Sequence, residues 1–198
     1  MHLTIPNQLT LLRILLTPVF ISLILSDIPK TQLAGSIVFL IAAFTDWYDG
    51  WHARKFGVIT RWGQFMDPLA DKILVASAFI VYAMLGYVFW WMIVIIIIRD
   101  FVITAVRIYA LAIGSPVITH ILAKWKTALQ MFTIMLILAY INARNFFWQS
   151  TTPYQADYFD PIGLCMSLIT LLTLISGAIY FFENRRLILH IFRKASGI

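Results

Sequence analysis

A single cysteine, Cys165, stands in 198 residues, so neither a disulfide framework nor a thiolate metal cage is available. It lies inside an apolar run and is expected to be a buried small hydrophobe. Charge is also scarce. Charged residues make up 12% of the chain against 61% hydrophobic ones, too few to cover an ordinary water-exposed surface. No strand-like alternation, internal repeat or low-complexity tract interrupts this composition, which leaves a helical bundle as the way to cross a bilayer. No convincing Ser-His-Asp or Cys-His arrangement is present, so nothing points to a covalent enzyme intermediate. Acid is the rarer sign, with nine Asp and Glu against fifteen Lys and Arg. The net charge of +6 would suggest nucleic acid only if it clustered on a soluble module. Here the basic residues flank apolar runs, which points to anionic headgroups or phosphorylated substrates and to no nucleic acid.

What the chain has instead is hydrocarbon length. Six apolar segments, near 9–25, 33–54, 68–86, 88–112, 120–141 and 161–182, are long enough to span a bilayer at about 1.5 Å per residue. The expected fold is an all-α integral membrane protein, a six-transmembrane-helix bundle forming one domain over residues 1–198. Turn chemistry separates the segments at Ser26 to Pro29, Gly57 to Gly63, Gly86 with Tyr87, Gly114 to Pro116 and Ser150 to Pro153. The first segment has no small-residue cleavage site and carries Arg13, so it reads as a retained span and not a signal peptide. With the N-terminus cytoplasmic, Arg54, Lys55, Arg61, Lys72, Arg107, Lys124, Lys126, Arg185, Arg186, Arg193 and Lys194 fall inside, and only Lys30 and Arg144 outside.

Against this background four acids stand out within 26 residues: Asp46, Asp49, Asp67 and Asp71. Carboxylates in or beside hydrocarbon cost several kcal/mol each unless compensated, so their default reading is functional. Asp46 and Asp49 are three residues apart and Asp67 and Asp71 four, so on helices each pair projects from one face. Two such faces meeting would gather four carboxylates, a set suited to two cations such as Mg²⁺ or Mn²⁺ and, lacking His and Cys, ill suited to zinc. Ion pairs with Arg54, Arg61 and Lys72 are the plainer alternative, which accounts poorly for four regularly spaced acids. His52 is expected where the second helix ends, as an interfacial side chain, and Trp47 and Trp51 as interfacial anchors.

The stretch reads D-W-Y-D-G-W-H-A-R, eight residues, then G-Q-F-M-D-P-L-A-D. It resembles the signature of the CDP-alcohol phosphotransferases, D-x-x-D-G-x-x-A-R, eight residues, G-x-x-x-D-x-x-x-D. Every fixed position is filled, by Asp46, Asp49, Gly50, Ala53, Arg54, Gly63, Asp67 and Asp71. The resemblance implies that Asp46, Asp49 and Asp67 hold one metal and Asp46, Asp67 and Asp71 a second, with Asp71 also the base that deprotonates the attacking hydroxyl. It places Gly50, Arg54 and Thr60 against the CDP group. Physically, Gly50 allows close approach, Arg54 can fork onto a pyrophosphate oxygen and Thr60 offers a hydroxyl. Asn7 and Thr10, before the first span, are capping residues on one reading and CDP contacts on the family's. Gly63 is expected to turn the chain into the third span.

The signature does not name the acceptor alcohol. Arg99 and Arg107 lie about two helical turns apart in one span, and Lys124 and Lys126 open the next. Arg99 could pair with Asp100, but neighbours on a helix diverge, which makes that pairing awkward. Four cations converging on a pocket would hold a phosphorylated acceptor. The segments I-P-N-Q-L-T-L-L-R, M-D-P-L-A-D-K, R-D-x-x-x-x-x-x-R and K-W-K-T-A-L-Q-M narrow the resemblance to the bacterial branch that makes phosphatidylglycerophosphate. Asp100 stands where that branch more often has glutamate. The implied substrates are CDP-diacylglycerol and glycerol 3-phosphate. The implied setting is a homodimer in the bacterial cytoplasmic membrane, with both termini and the site facing the cytoplasm. Inositol phosphate or phosphatidylglycerol as acceptor, or a cation-coupled transporter, are the alternatives. A transporter would place its acids near mid-membrane, whereas these cluster at one end of their spans.

Overall fold

A computed structural model describes residues 5–56, 61–112, 121–148 and 154–185, with side chains over 8–46, 48, 66–110, 122–147 and 154–185. The described residues form α1 (Ile5–Ile24), α2 (Pro29–Phe56), α3 (Arg61–Met84), α4 (Trp90–Ala112), α5 (Ile121–Ala143), a π-helical turn at Arg144–Trp148, and α6 (Pro161–Glu183). No strand occurs among them. Helix α1 packs most extensively on α2 and then on α3, α3 on α4, and α6 on both α4 and α5.

Large apolar side chains cover the outside of this bundle as well as its core, and several charged ones are buried. Leu15, Phe44, Ile98, Phe132 and Phe182 are exposed, while Arg13, Asp100, Lys126 and Gln130 are buried. Water would penalise both halves of that arrangement, whereas hydrocarbon tolerates the first and requires the second to be satisfied internally. By length and apolar composition, Leu122–Phe147 and Pro161–Glu183 each qualify as bilayer-crossing helices, and Gln8–Ile24 is a shorter apolar helix. In α4 the charges Arg99, Asp100 and Arg107 break an otherwise apolar run. These features are those of an all-helical membrane protein.

Aromatic and aliphatic side chains from all six helices close the core. Phe20 of α1 meets Phe39 of α2 with ring centroids 5.2 Å apart. Phe79, Tyr82, Met92, Ile96 and Ile134 fill the space between α3, α4 and α5. The buried Tyr82 hydroxyl donates to the Ile134 carbonyl at 3.3 Å, which satisfies a polar group that burial would otherwise penalise. Helix α6 starts on a built cap: Asp160 accepts from the Gly163 amide at 2.5 Å, with Pro161 in the first turn.

The α3–α4 hairpin turns at Gly86 and Tyr87, as the sequence predicts. Gly86 has φ +78°. Tyr87 N–H reaches back to Tyr82 O at 2.8 Å and Gly86 N–H to Ala83 O at 3.1 Å, the paired bonds of a left-handed helix stop. A Cβ at Gly86 would also sit 3.1 Å from Tyr154 O. Gly86→Ala is therefore expected to destabilise by about 1–2 kcal/mol, read as a lower apparent Tm in detergent. A Tm at or above that of the parent would contradict the strain.

Two boundary expectations need correction. Helix α2 continues to Phe56, so His52 lies within it and not at its end. Gly63 is inside α3, which starts at Arg61 and carries Pro68 internally, and so is not the turn into the span. The expected breaks at Gly114 to Pro116 and Ser150 to Pro153 lie outside the described residues, as do residues 57–60 of the first connection. Cys165 is half-buried.

Candidate active site

Helix α1 wedges against α2 and α3 and brings a polar side chain to an acid on each. Arg13, fully buried, places Nη1 2.7 Å from Oδ1 of Asp46 on α2. One turn earlier, the Thr10 hydroxyl donates to Asp67 Oδ1 on α3 at 2.5 Å. On α3 itself, Lys72 Nζ stands 3.3 Å from Asp71 Oδ2. Asp67, Asp71 and Lys72 are all near enough to Asp46 to act on its carboxylate electrostatically. Three of the four motif acids thus share one neighbourhood, each oriented by a different neighbour. Asp49 lies on α2, one turn beyond Asp46, with its side chain outside the described residues.

The donor set is carboxylate oxygen throughout, which suits a hard divalent cation. Among the described residues, no three acidic, His or Cys side chains already stand within common ligating reach. The side chain that α2 contributes second, Asp49, is not among them. Ion pairs account for two of the three described acids of the cluster, and a hydroxyl for the third. Lys72 does pair with Asp71, as the ion-pair reading supposes, while Asp46 takes Arg13 and Asp67 takes a hydroxyl. The side chains of Arg54 and Arg61 are outside the described residues.

Beside the acids lies a cavity of about 450 Å³ between α3, α4 and α5. Lys72, Arg99, Arg107 and Lys124 supply its charge, Thr104 and Thr127 its hydroxyls, and Ile103 and Met131 apolar wall. Its one acid, Asp100, is claimed by Lys126, whose ammonium forms a close ion pair with Oδ1, and by Gln130, which donates to Oδ2 at 3.2 Å. The surplus at the wall is positive, as an anion site requires. The Nε atoms of Arg99 and Arg107 are buried and have no hydrogen-bond partner among the described residues, so both arginines keep donor capacity. Lys72 lines this cavity and also touches Asp71, so it joins the two halves of the site.

The sequence-predicted residues divide accordingly. Arg99, Arg107 and Lys124 meet in the cavity. Lys126 does not line it: almost fully buried, it sits behind the wall as the partner of Asp100. The Arg99–Asp100 pairing, expected to be awkward, is made, with Nη1 3.1 Å from Oδ1. Helix neighbours do leave the backbone in different directions, but the long arginine stem wraps far enough to recover the contact. Thr10 reaches the acid cluster through Asp67. The side chains of Asn7, Gly50, Arg54 and Thr60 lie outside the described residues. Arg13, Lys72, Gln130 and Ser176 were not singled out as site residues in the sequence. Arg13 and Lys72 carried a usable signal, being charges in apolar surroundings, whereas Gln130 and Ser176 did not.

A family model described as CDP-alcohol phosphatidyltransferase matches residues 3–152. The chain is similar to the CDP-diacylglycerol–glycerol-3-phosphate 3-phosphatidyltransferase of Bacillus subtilis, 34% identical over 192 residues, covering 91% of this chain and 94% of the relative. The protein of the same name from Rickettsia bellii is 31% identical over 178 residues, covering 89% and 93%. That of Escherichia coli K12 is 36% identical over 143 residues, covering 70% and 78%.

Proposed function

The chain belongs to the CDP-alcohol phosphatidyltransferase family, and we propose that it transfers a phosphatidyl group from CDP-diacylglycerol to glycerol 3-phosphate, giving phosphatidylglycerophosphate and CMP. The observation that carries the acceptor assignment is the cavity with four cationic residues, joined to the acid cluster by Lys72. An uncharged alcohol would have no use for Lys72, Arg99, Arg107 and Lys124 together, whereas a phosphate dianion has.

In this reading the cavity cations hold the acceptor's phosphate, leaving its hydroxyl end toward Asp71. Asp71 takes the hydroxyl proton, the freed oxygen forms its bond to the phosphorus bearing the lipid, and the pyrophosphate P–O bond to CMP breaks. Two divalent cations, Mg²⁺ or Mn²⁺, held by Asp46, Asp49, Asp67 and Asp71, would polarise the donor's pyrophosphate and offset the charge on the leaving CMP. Arg13 and Thr10 fix Asp46 and Asp67 in place for that purpose. Asn7, Thr10, Gly50, Arg54 and Thr60 are assigned to the CDP end of the donor. No enzyme nucleophile is needed, because the acceptor hydroxyl attacks directly.

All six helices are assigned as spans, with both termini and the site in the cytoplasm of a bacterial cell, since that orientation keeps nearly all the basic residues inside. A homodimer is assigned by analogy with family members, and the exposed apolar side chains of Ile80, Met84, Val94 and Ile98 on α3 and α4 offer a pairing face.

Two results follow. Offered labelled glycerol 3-phosphate, inositol phosphate and phosphatidylglycerol separately, the purified protein is expected to label lipid only from the first. Label transferred from inositol phosphate or phosphatidylglycerol instead would replace the acceptor and keep the chemistry. Arg107→Gln removes a charge-assisted contact worth roughly 1.5–3 kcal/mol. The KM for glycerol 3-phosphate should rise about tenfold to a hundredfold at ~1.4 kcal/mol per decade, with the KM for CDP-diacylglycerol nearly constant. The reverse pattern would put Arg107 in the donor site.

A further inference from the structure

Helix α6, Pro161–Glu183, lies beyond the residues 3–152 that the family model matches, yet it packs against α4 behind the cationic cavity. Its buried polar residues, Thr170, Thr173, Ser176 and Tyr180, are spaced to form one stripe that also holds Gly177. Ser176 meets the cavity lining directly. Its Oγ accepts from Arg99 Nη2 at 2.9 Å and donates to the Leu172 carbonyl, one turn earlier, at 2.6 Å. The serine has one proton, and the helix takes it. Only its lone pairs face the guanidinium, so the direction of the Arg99 bond is fixed. At Gly177, an added Cβ would lie 3.4 Å from Arg99 Cγ and 3.8 Å from Nε, so the stem of the arginine rests against bare helix backbone.

We propose that Ser176 is a positioning residue that holds Arg99 for the acceptor's phosphate, with the arginine stem lying along Gly177. This rests on reading the α3–α5 cavity as the acceptor site. Arg99 is tethered at both terminal nitrogens, Nη1 to Asp100 and Nη2 to Ser176. Two tethers fix the plane of the guanidinium, so the long side chain is pre-set and does not have to be ordered by the ligand. The charge is not consumed by the tethers. Ser176 is neutral, and Asp100 already has Lys126 and Gln130. A positive charge held in a defined orientation at the wall of a cavity is what selects an anion there. The serine therefore sets acceptor affinity from a helix beyond the residues that the family model matches.

The test is steady-state kinetics of purified variants, with CMP release followed against each substrate. Ser176→Ala should raise the KM for glycerol 3-phosphate about threefold to tenfold, the loss of one modest hydrogen bond. The kcat and the KM for CDP-diacylglycerol should stay within about twofold, which is under ~0.5 kcal/mol. Ser176→Thr should restore the parent value, because it keeps the hydroxyl. Gly177→Val should shift the acceptor KM in the same direction by displacing the stem. Arg99→Gln should raise that KM further, and adding Ser176→Ala to it should change nothing more, since the two share one interaction. If Arg99→Gln raises the acceptor KM and Ser176→Ala does not, the positioning role is wrong and the cavity assignment stands. An acceptor KM unmoved by Arg99→Gln overturns both. Equal changes for both substrates in Ser176→Ala, or no rescue by threonine, would reduce Ser176 to helix packing and overturn the proposal.

Discussion

Asp67→Asn is expected to yield a protein that inserts and folds normally and transfers no measurable phosphatidyl group. Folding should survive because Asp67 is half-buried and its visible partner is the Thr10 hydroxyl, which donates to Oδ1. An asparagine carbonyl can accept the same bond. What disappears is a negative charge assigned to both cation positions, at a place where the neighbouring acids Asp46 and Asp71 would otherwise repel one another. Lewis-acid stabilisation of a phosphoryl transition state is worth several kcal/mol, so the rate should fall by at least ~10³-fold at ~1.36 kcal/mol per decade. Activity should not return at high Mg²⁺ or Mn²⁺. Substantial turnover of Asp67→Asn in excess metal would contradict a shared ligand.

Asp71→Asn should be as inactive for a different reason. The substitution keeps size and removes the only proton acceptor assigned to the acceptor hydroxyl. It also loses the Lys72 pair at 3.3 Å, but both side chains are partly exposed and such a pair contributes only about 0–1 kcal/mol. Stability should therefore change little. Binding of CDP-diacylglycerol should stay within about tenfold, or ~1.4 kcal/mol, because the remaining acids and the CDP-side residues are untouched. A variant that loses donor binding yet transfers at raised lipid concentration would make Asp71 a structural ligand and place the base elsewhere.

Much of this was legible in the residues because a bilayer makes polar side chains conspicuous. The helices coincide with the apolar segments to within a few residues wherever a glycine or proline turn bounds them, as at Gly86 and at Asp160-Pro161. The miss at α3 has a cause. The expected span, 68–86, follows the apolar run, and the polar residues between Arg61 and Asp67 carry no hydrocarbon signal. The helix instead begins at Arg61 and carries Pro68 inside, as bundled membrane helices can when neighbours satisfy the freed carbonyl. That shift puts Gly63 and Asp67 on the same helix as Asp71.

The acids and the arginines announced themselves as costly charges, but their partners did not. Which cation serves Asp46 depends on α1 packing between α2 and α3, and no local spacing reveals that Arg13 is found there. Lys124 and Lys126 open the same helix, but their two-residue spacing turns one toward the cavity and the other toward Asp100. Ser176 is the extreme case. A serine in an apolar helix usually bonds its own backbone, as this one also does, so its contact with Arg99 is visible only in three dimensions.

The most direct measurement is CMP release by the purified protein in detergent containing CDP-diacylglycerol and Mg²⁺, with and without glycerol 3-phosphate. Release is expected to require the acceptor, to match phosphatidylglycerophosphate formed mole for mole, and to stop when the divalent cation is chelated. CMP released at the same rate without glycerol 3-phosphate, or none released with it, would contradict the assignment.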